Sequence, residues 1–254
     1  MSKRLRVAVL LAGEMRTYDA AAVAAGFAAH VFGPYDCDVF LATWRHRGVS
    51  AASADGDCTA AAAPVDAAAL RAFYLYLGAS RVVSVDVDDL DAWKATLPPA
   101  LAARYAEGYE WSGRRYPGSS VPQLFKLSQA FAALRGSSSS KGGYDVVLRA
   151  RPDALFRAPA IPVPPHPNHV YAINCMHPHR SFWPQRIYDI YFYGSEAALE
   201  TLVGTYRDHV VNEAHPFHNG LHPKDTCRLL YVQALRGGLN VVDIDYDVCM
   251  IYRG

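Results

Sequence analysis

The chain has 254 residues, 51% of them hydrophobic, which suffices for one large α/β domain or two small ones with a well-buried core. With 25 basic and 24 acidic residues the formal net charge is +1, which excludes a general electrostatic pull toward nucleic acid or an anionic membrane; any anion site must be local. The five cysteines, Cys37, Cys58, Cys175, Cys227 and Cys249, are scattered and form no CxxC pair, which argues against a disulfide framework and a structural zinc site.

The apolar run Val7-Ala-Val-Leu-Leu-Ala12 is too short for a signal peptide and is followed by charge at Gly13-Glu14-Met15-Arg16, so residues 5–12 are predicted to be a buried first strand. No run approaches the roughly 18 apolar residues needed to span a bilayer. The expectation is therefore a soluble, cytoplasmic protein with no transmembrane segment. An Ala-rich helix follows over 19–32, with Asp19 as its N-cap and Gly33-Pro34 as its stop. Cys37–Thr43 reads as a second strand and 48–64, almost without large apolar residues, as an exposed loop. Asp66 caps a helix ending at Gly78, and Arg81–Val85 is a third strand. The acid-rich stretch 86–91 leads into a helix ending near Tyr105.

Loop residues Tyr109, Trp111, Arg114, Arg115 and Tyr116 mix aromatic and basic character, which suits either a sugar- or nucleotide-facing loop or a plain surface segment. A helix is predicted over 120–135: Ser120 and Gln123 have capping-box spacing, Pro122 falls in the first turn, and Leu124, Leu127, Phe131 and Leu134 form one stripe. After a Ser/Gly tether at 137–143 comes an apolar strand, then an extended crossing enforced by prolines 159, 162, 164, 165 and 167. Strands at 169–174 and 187–193, helices at 195–211 and 224–236, and strands at 239–244 and 247–252 complete the chain. The alternation predicts a single Rossmann-like α/β domain over 1–254, its mostly parallel central sheet flanked by helices on both faces.

The strand before the prolines, Tyr144-Asp-Val-Val-Leu-Arg-Ala-Arg-Pro-Asp153, is the most informative segment. Side chains two apart share a strand face, so Arg149, Arg151 and, if the pleat survives Pro152, Asp153 are expected to point the same way. Two guanidiniums suit a diphosphate, and a carboxylate beside them suits a divalent metal or a sugar hydroxyl. The alternative is a sheet edge whose arginines pair with surface acids. Ligands of α/β sheets sit at the carboxyl ends of strands, which also brings in Ala12, Gly13, Arg16 and Thr17 after the first strand and Thr43 and Trp44 after the second. Gly13 permits close backbone approach, but neither GxGxxG nor GxxxxGK[ST] spacing is present.

Taken together, Leu11-Ala-Gly-Glu-Met-Arg-Thr17, Asp38-Val-Phe-Leu-Ala-Thr-Trp44, Gln123 with Lys126, the Arg-rich strand, Asp189 with Phe192-Tyr-Gly-Ser195, and His222-Pro223 resemble GT-A-type glycosyltransferases of large algal viruses and bacterial surface-polysaccharide clusters. The resemblance implies a GT-A-like fold with a donor-binding half at about 1–155 and an acceptor-side half at about 156–254. It also implies a nucleoside-diphosphate sugar donor, a glycan acceptor, and Mn²⁺ or Mg²⁺ held by Asp153. Asp153 stands where relatives carry a DxD motif, but Arg151 occupies the place of the first Asp, so the arginines could neutralise the diphosphate without an ion. Nucleotide-sugar contacts would come from Ala12, Gly13, Arg16, Thr17, Thr43, Trp44, Lys126, Arg149, Arg151 and Asp153. The lone carboxylate of Asp189 in the aromatic strand 188–193 is the candidate general base or acceptor contact.

Bland readings stand beside these. Gln123 serves equally as the returning half of a capping box, Lys126 as a snorkelling surface lysine, and Trp44 as core. The histidines at 177, 179, 215, 218 and 222 lack an HExxH pattern and read as a solvated loop, an acceptor contact or a zinc site. Two other functions compete: a non-catalytic nucleotide- or glycan-binding module of the same fold, and another α/β transferase such as a sulfotransferase or a fucosyltransferase-like enzyme.

Overall fold

The computed structural model describes residues 4–46, 64–99, 102–103, 109–111, 114–116, 120–137, 143–174, 187–211, 226–244 and 246–251. Strand β1 (Arg6–Ala12) leads into helix α1 (Ala21–Phe27), which a π-helical turn, Ala28–Phe32, extends into β2 (Asp36–Trp44). Helix α2 (Ala67–Tyr76), β3 (Arg81–Asp88) and α3 (Leu90–Ala95) follow. A short hairpin, β4 (Tyr109–Trp111) with β5 (Arg114–Tyr116), precedes the long helix α4 (Ser120–Gly136). The second half comprises β6 (Val146–Ala150), β7 (Ala154–Phe156), β8 (His169–Asn174), β9 (Ile187–Gly194), α5 (Glu196–Val203), α6 (Thr226–Arg236), β10 (Asn240–Ile244) and β11 (Cys249–Ile251).

Seven strands make the central sheet, in the order β10-β8-β9-β6-β1-β2-β3. Strand β1 is parallel to β2 and β6, β2 to β3, and β8 to β10, whereas β9 runs antiparallel to β6 and β8. Six strands thus share one direction. The chain moves outward from β1 through β2 to β3, then returns to the other side of β1 as β6, which makes the β1/β6 boundary the switch point of the sheet.

Alternation along β1 explains why it reads as continuously apolar. Val7, Val9 and Leu11 enter a core with Val23, Phe27, Leu70 and Tyr74 from α1 and α2. Ala8, Leu10 and Ala12 enter a second core with Leu124, Leu127, Phe131 and Leu134 of α4, Leu199 of α5 and Leu230 of α6. Both faces of the sheet are covered, as the parallel topology requires. No helix among the described residues is long and apolar enough to cross a membrane.

Several stretches differ from expectation. Helix α3 ends at Ala95 rather than near Tyr105, and the segment read as a loop at 109–116 forms the β4–β5 hairpin. Asp19 does not cap α1; Ala20 precedes the helix without a side-chain cap, whereas Asp66, Asp89 and Ser195 do cap α2, α3 and α5. Strand β3 extends to Asp88, because its acidic end pairs with β2 as far as Trp44↔Asp88; the ladder outweighs the low strand preference of Asp. The first long helix closes in a π-helical turn ending at Phe32. The prolines after β7 remove N–H donors, and buried tyrosines take over the pairing. Tyr193 donates to the Val163 carbonyl at 2.8 Å, Tyr191 to that of Ala160, and Tyr35 accepts from the Ile161 amide at 3.0 Å. Residues 138–142 of the expected tether 137–143, residues 48–63 of the expected loop 48–64, and the histidines at 177, 179, 215, 218 and 222 lie outside the described residues.

At the amino ends of the strands, the buried Asp38 carboxylate accepts from Arg81 at 2.9 and 2.5 Å and from the Tyr144 hydroxyl at 2.8 Å. Burial raises its pKa, but these hydrogen bonds and the Arg81 and Arg6 charges outweigh burial and hold it below the ordinary value. Because the folded value is depressed, the stability Asp38 contributes is present above the unfolded-state pKa and is lost as pH falls through the folded one. Asp38→Asn should therefore flatten the acid limb of the stability curve below about pH 4, read by urea midpoints across pH. A second expectation concerns α1: a Cβ on Gly26 would sit 2.7 Å from the Phe156 carbonyl oxygen, so Gly26→Ala should cost roughly 1–3 kcal/mol by urea denaturation.

Candidate functional site

The register aligns the carboxyl ends of β1, β2 and β6. Leu11 lies opposite Ala150 and Ala12 opposite Ala42, so the residues that follow these strands emerge at one edge. The antiparallel β9 starts there too: Ala150 pairs with Tyr191 and the Arg151 amide donates to the Ile190 carbonyl at 2.8 Å, which places Asp189 beside the arginines. Gly13, at φ 119°, turns the chain out of β1. Its amide donates to the Ala42 carbonyl at 3.2 Å, its carbonyl accepts from the Thr43 hydroxyl at 2.8 Å, and Gln123 of α4 approaches from above. Thr43 thus holds the loop and has its hydroxyl engaged. Thr17, four residues on, has a buried hydroxyl with no hydrogen-bond partner.

Arg149 sits in the middle of the ladder, between Leu10 of β1 and Phe192 of β9, and is 1% exposed. Its Nη1 is buried without a hydrogen-bond acceptor. Burial pushes its pKa down to about 10, with Arg151 acting in the same sense and the carboxylates of Asp189 and Asp153 opposing it. Arg151 lies just past the strand and forms a bidentate pair with Asp153, Nε to Oδ1 at 2.8 Å and Nη2 to Oδ2 at 2.7 Å. Burial disfavours the Arg151 charge, but the Asp153 partner outweighs it and raises its pKa above the ordinary value, helped by Asp189 and Glu14. Arg16 is partly exposed and bonded through Nε to Glu14 at 2.7 Å. The edge therefore carries three arginines and three carboxylates, a balanced set rather than the positive excess the sequence suggests.

A divalent cation does not fit Asp153 in this arrangement. The carboxylate is 1% exposed and both of its oxygens already accept from Arg151. No group of three His, Cys, Asp or Glu side chains that could hold an ion occurs among the described residues.

Lys126 and Trp44 part from the expected site. Lys126 is fully buried, its ammonium bonded to Asp88 of β3 at 2.5 Å and to Gln129 at 2.9 Å, and it lies 4.2 Å from the centroid of the Trp44 ring. Trp44 packs between Trp93 at 5.4 Å and Phe125 at 6.1 Å, so of its two readings the core one holds. Burial raises the Asp88 pKa, and the bonds from Lys126 and Gln129 overcome it to leave a net lowering. These residues form a structural knot under β2 and β3, not a wall for the diphosphate. Sequence reasoning missed the partners that decide this, Asp88, Gln129 and Glu14. The i,i+3 spacing of Lys126 and Gln129 and the i,i+2 spacing of Glu14 and Arg16 were the available signals.

No protein-family model and no curated protein matches the chain. Removing Asp88 leaves a buried ammonium, whereas removing Lys126 leaves a carboxylate whose side chain is 40% exposed. Asp88→Ala is accordingly expected to cost roughly 1–3 kcal/mol and Lys126→Met under about 1 kcal/mol, a difference that paired urea titrations would resolve.

Proposed function

We propose that the chain is a GT-A-like glycosyltransferase that moves a sugar from a nucleoside diphosphate to a glycan acceptor, with arginines in place of a metal. The observation that carries this reading is Arg149, a buried guanidinium at the switch point of the sheet with an N–H edge that has no acceptor. Leaving a buried cation incompletely paired is costly, and such groups concentrate where a ligand completes them. An anion entering at the carboxyl ends of β1 and β6 would complete it, and the second arginine, Arg151, matches the two-phosphate length of a nucleotide-sugar leaving group.

In the reaction, the acceptor hydroxyl gives its proton to Asp189 as its oxygen bonds to the anomeric carbon of the donor sugar. The bond between that carbon and the diphosphate oxygen breaks, and the electron pair leaves with the diphosphate. Arg149 and Arg151 neutralise the charge that develops there. Asp189 is suited to the acceptor side because it is half-buried beside both arginines, near the start of β9, the antiparallel strand of the central sheet. Gly13, having no side chain of its own, gives the donor close approach to the backbone. A non-catalytic nucleotide-binding module is favoured by one observation, that both Asp153 oxygens are already taken by Arg151.

Asp189→Asn should lower transfer or donor hydrolysis by about 10²-fold or more while leaving nucleoside diphosphate affinity within a few-fold. Screening a panel of nucleoside-diphosphate sugars with wild type and this variant checks it. Binding without turnover in the wild type would instead identify the module.

A further inference from the structure

We propose that Asp153 is a removable internal counterion: an entering diphosphate takes Arg151 from it, and the released carboxylate accepts a hydrogen bond from Tyr74. The inference rests on the diphosphate reading of the edge but not on sugar transfer. Its starting point is that Arg151 cannot serve a ligand as it stands. Its Nε and Nη2 are both bound to Asp153, so an anion that recruits the fork must displace that carboxylate. Asp153 is 1% exposed and on release cannot turn to bulk water for compensation. A buried carboxylate stripped of its partner requires another donor.

Tyr74 of α2 is that donor. It is 1% exposed and its hydroxyl is buried with no hydrogen-bond partner, a state that a buried phenol seldom keeps without a use. It belongs to the same core as Ala150, Ala154 and Phe156, which flank Asp153 along the chain. Its ring packs edge-on against Phe27 at 6.4 Å, and Phe27 packs in turn on Phe156 at 5.2 Å, three residues from Asp153. Burial foremost, then Tyr18, Asp153 and Asp19 hold the phenol protonated, so it remains a donor. Gly26 backs this arrangement by letting α1 close directly onto the Phe156 carbonyl. The empty site is thus neutral, with the Arg151 fork shaped in advance by Asp153, and in the occupied site Arg151 pairs with the anion while Asp153 keeps a hydrogen bond from the neutral phenol.

Calorimetric titration of the full chain with inorganic pyrophosphate, alongside thermal denaturation of each variant, tests the exchange. Tyr74→Phe should leave the melting temperature unchanged or higher, since it removes an unpaired hydroxyl, and yet weaken pyrophosphate binding about 10-fold. Asp153→Asn should bind pyrophosphate several-fold more tightly, because the ligand no longer competes with a carboxylate for Arg151. Equal affinity in Tyr74→Phe and wild type, weaker binding by folded Asp153→Asn, or no pyrophosphate binding by any of the three proteins overturns the proposal. Should Asp153→Asn not fold, the split between stability and affinity in Tyr74→Phe decides alone. Should pyrophosphate behave as expected while no nucleotide sugar is turned over, the exchange stands and the transferase reading falls.

Discussion

Parallel pairing of β1 with β2 on one side and β6 on the other is the constraint on which the rest of the molecule depends. It forces three strand ends to one edge and leaves no room for a hairpin between them, so each connection must cross over a face of the sheet. The crossovers are the helices, and they bury both faces in separate apolar cores. The same register sets Arg149 opposite Leu10 and brings Gly13, Thr43 and Arg151 to a common margin. A slip of one residue in β6 would send Arg149 to the other face and undo the site.

Charge at that margin is arranged by local pairing rather than by accumulation. Arg16 is matched by Glu14, Arg151 by Asp153, and Arg149 faces the fields of Asp189 and Asp153 without a hydrogen bond at Nη1. With a net charge of +1, the chain has no general excess of positive charge, so in the proposed reading diphosphate recognition rests on these few local groups. Desolvation makes each of them strong and also makes an unpaired one costly. That tension gives the Arg151–Asp153 pair its two sides: it stabilises the empty edge and obstructs a ligand. At the opposite margin the carboxylate of Asp38 is bonded by both Arg81 and Tyr144.

Much of this was legible from pattern. The apolar runs of β1 and β2, the stripe on α4 and the capping Asp66 are local signals, and local physics carries them into the structure. Asp19 misled because a helix start depends on where the first turn packs, not only on a capping residue nearby. The acids of β3 misled because pairing with β2 outweighed their poor strand preference. Lys126 misled in a more instructive way: nothing in its own helix announces Asp88, 38 residues earlier, or the Trp44 ring beneath it. Strand alternation accounts for Arg149 and Arg151, but β6 ends at Ala150 and a turn at Pro152-Asp153 brings the Asp153 carboxylate back onto Arg151, a closure that alternation does not predict.

By itself the sequence determined the alternation of strands and helices, the mostly parallel α/β class and the strand-end segments from which a site could be built. Those follow from periodicity, turn chemistry and spacing within a few residues. The tertiary structure alone decided which charges meet, that Lys126 is bound to Asp88, that Arg151 is engaged by Asp153, and that Arg149 Nη1 and the Tyr74 hydroxyl have no hydrogen-bond partner. Pairing between side chains far apart in the chain depends on register and on packing across faces, and neither is written in any short stretch of residues.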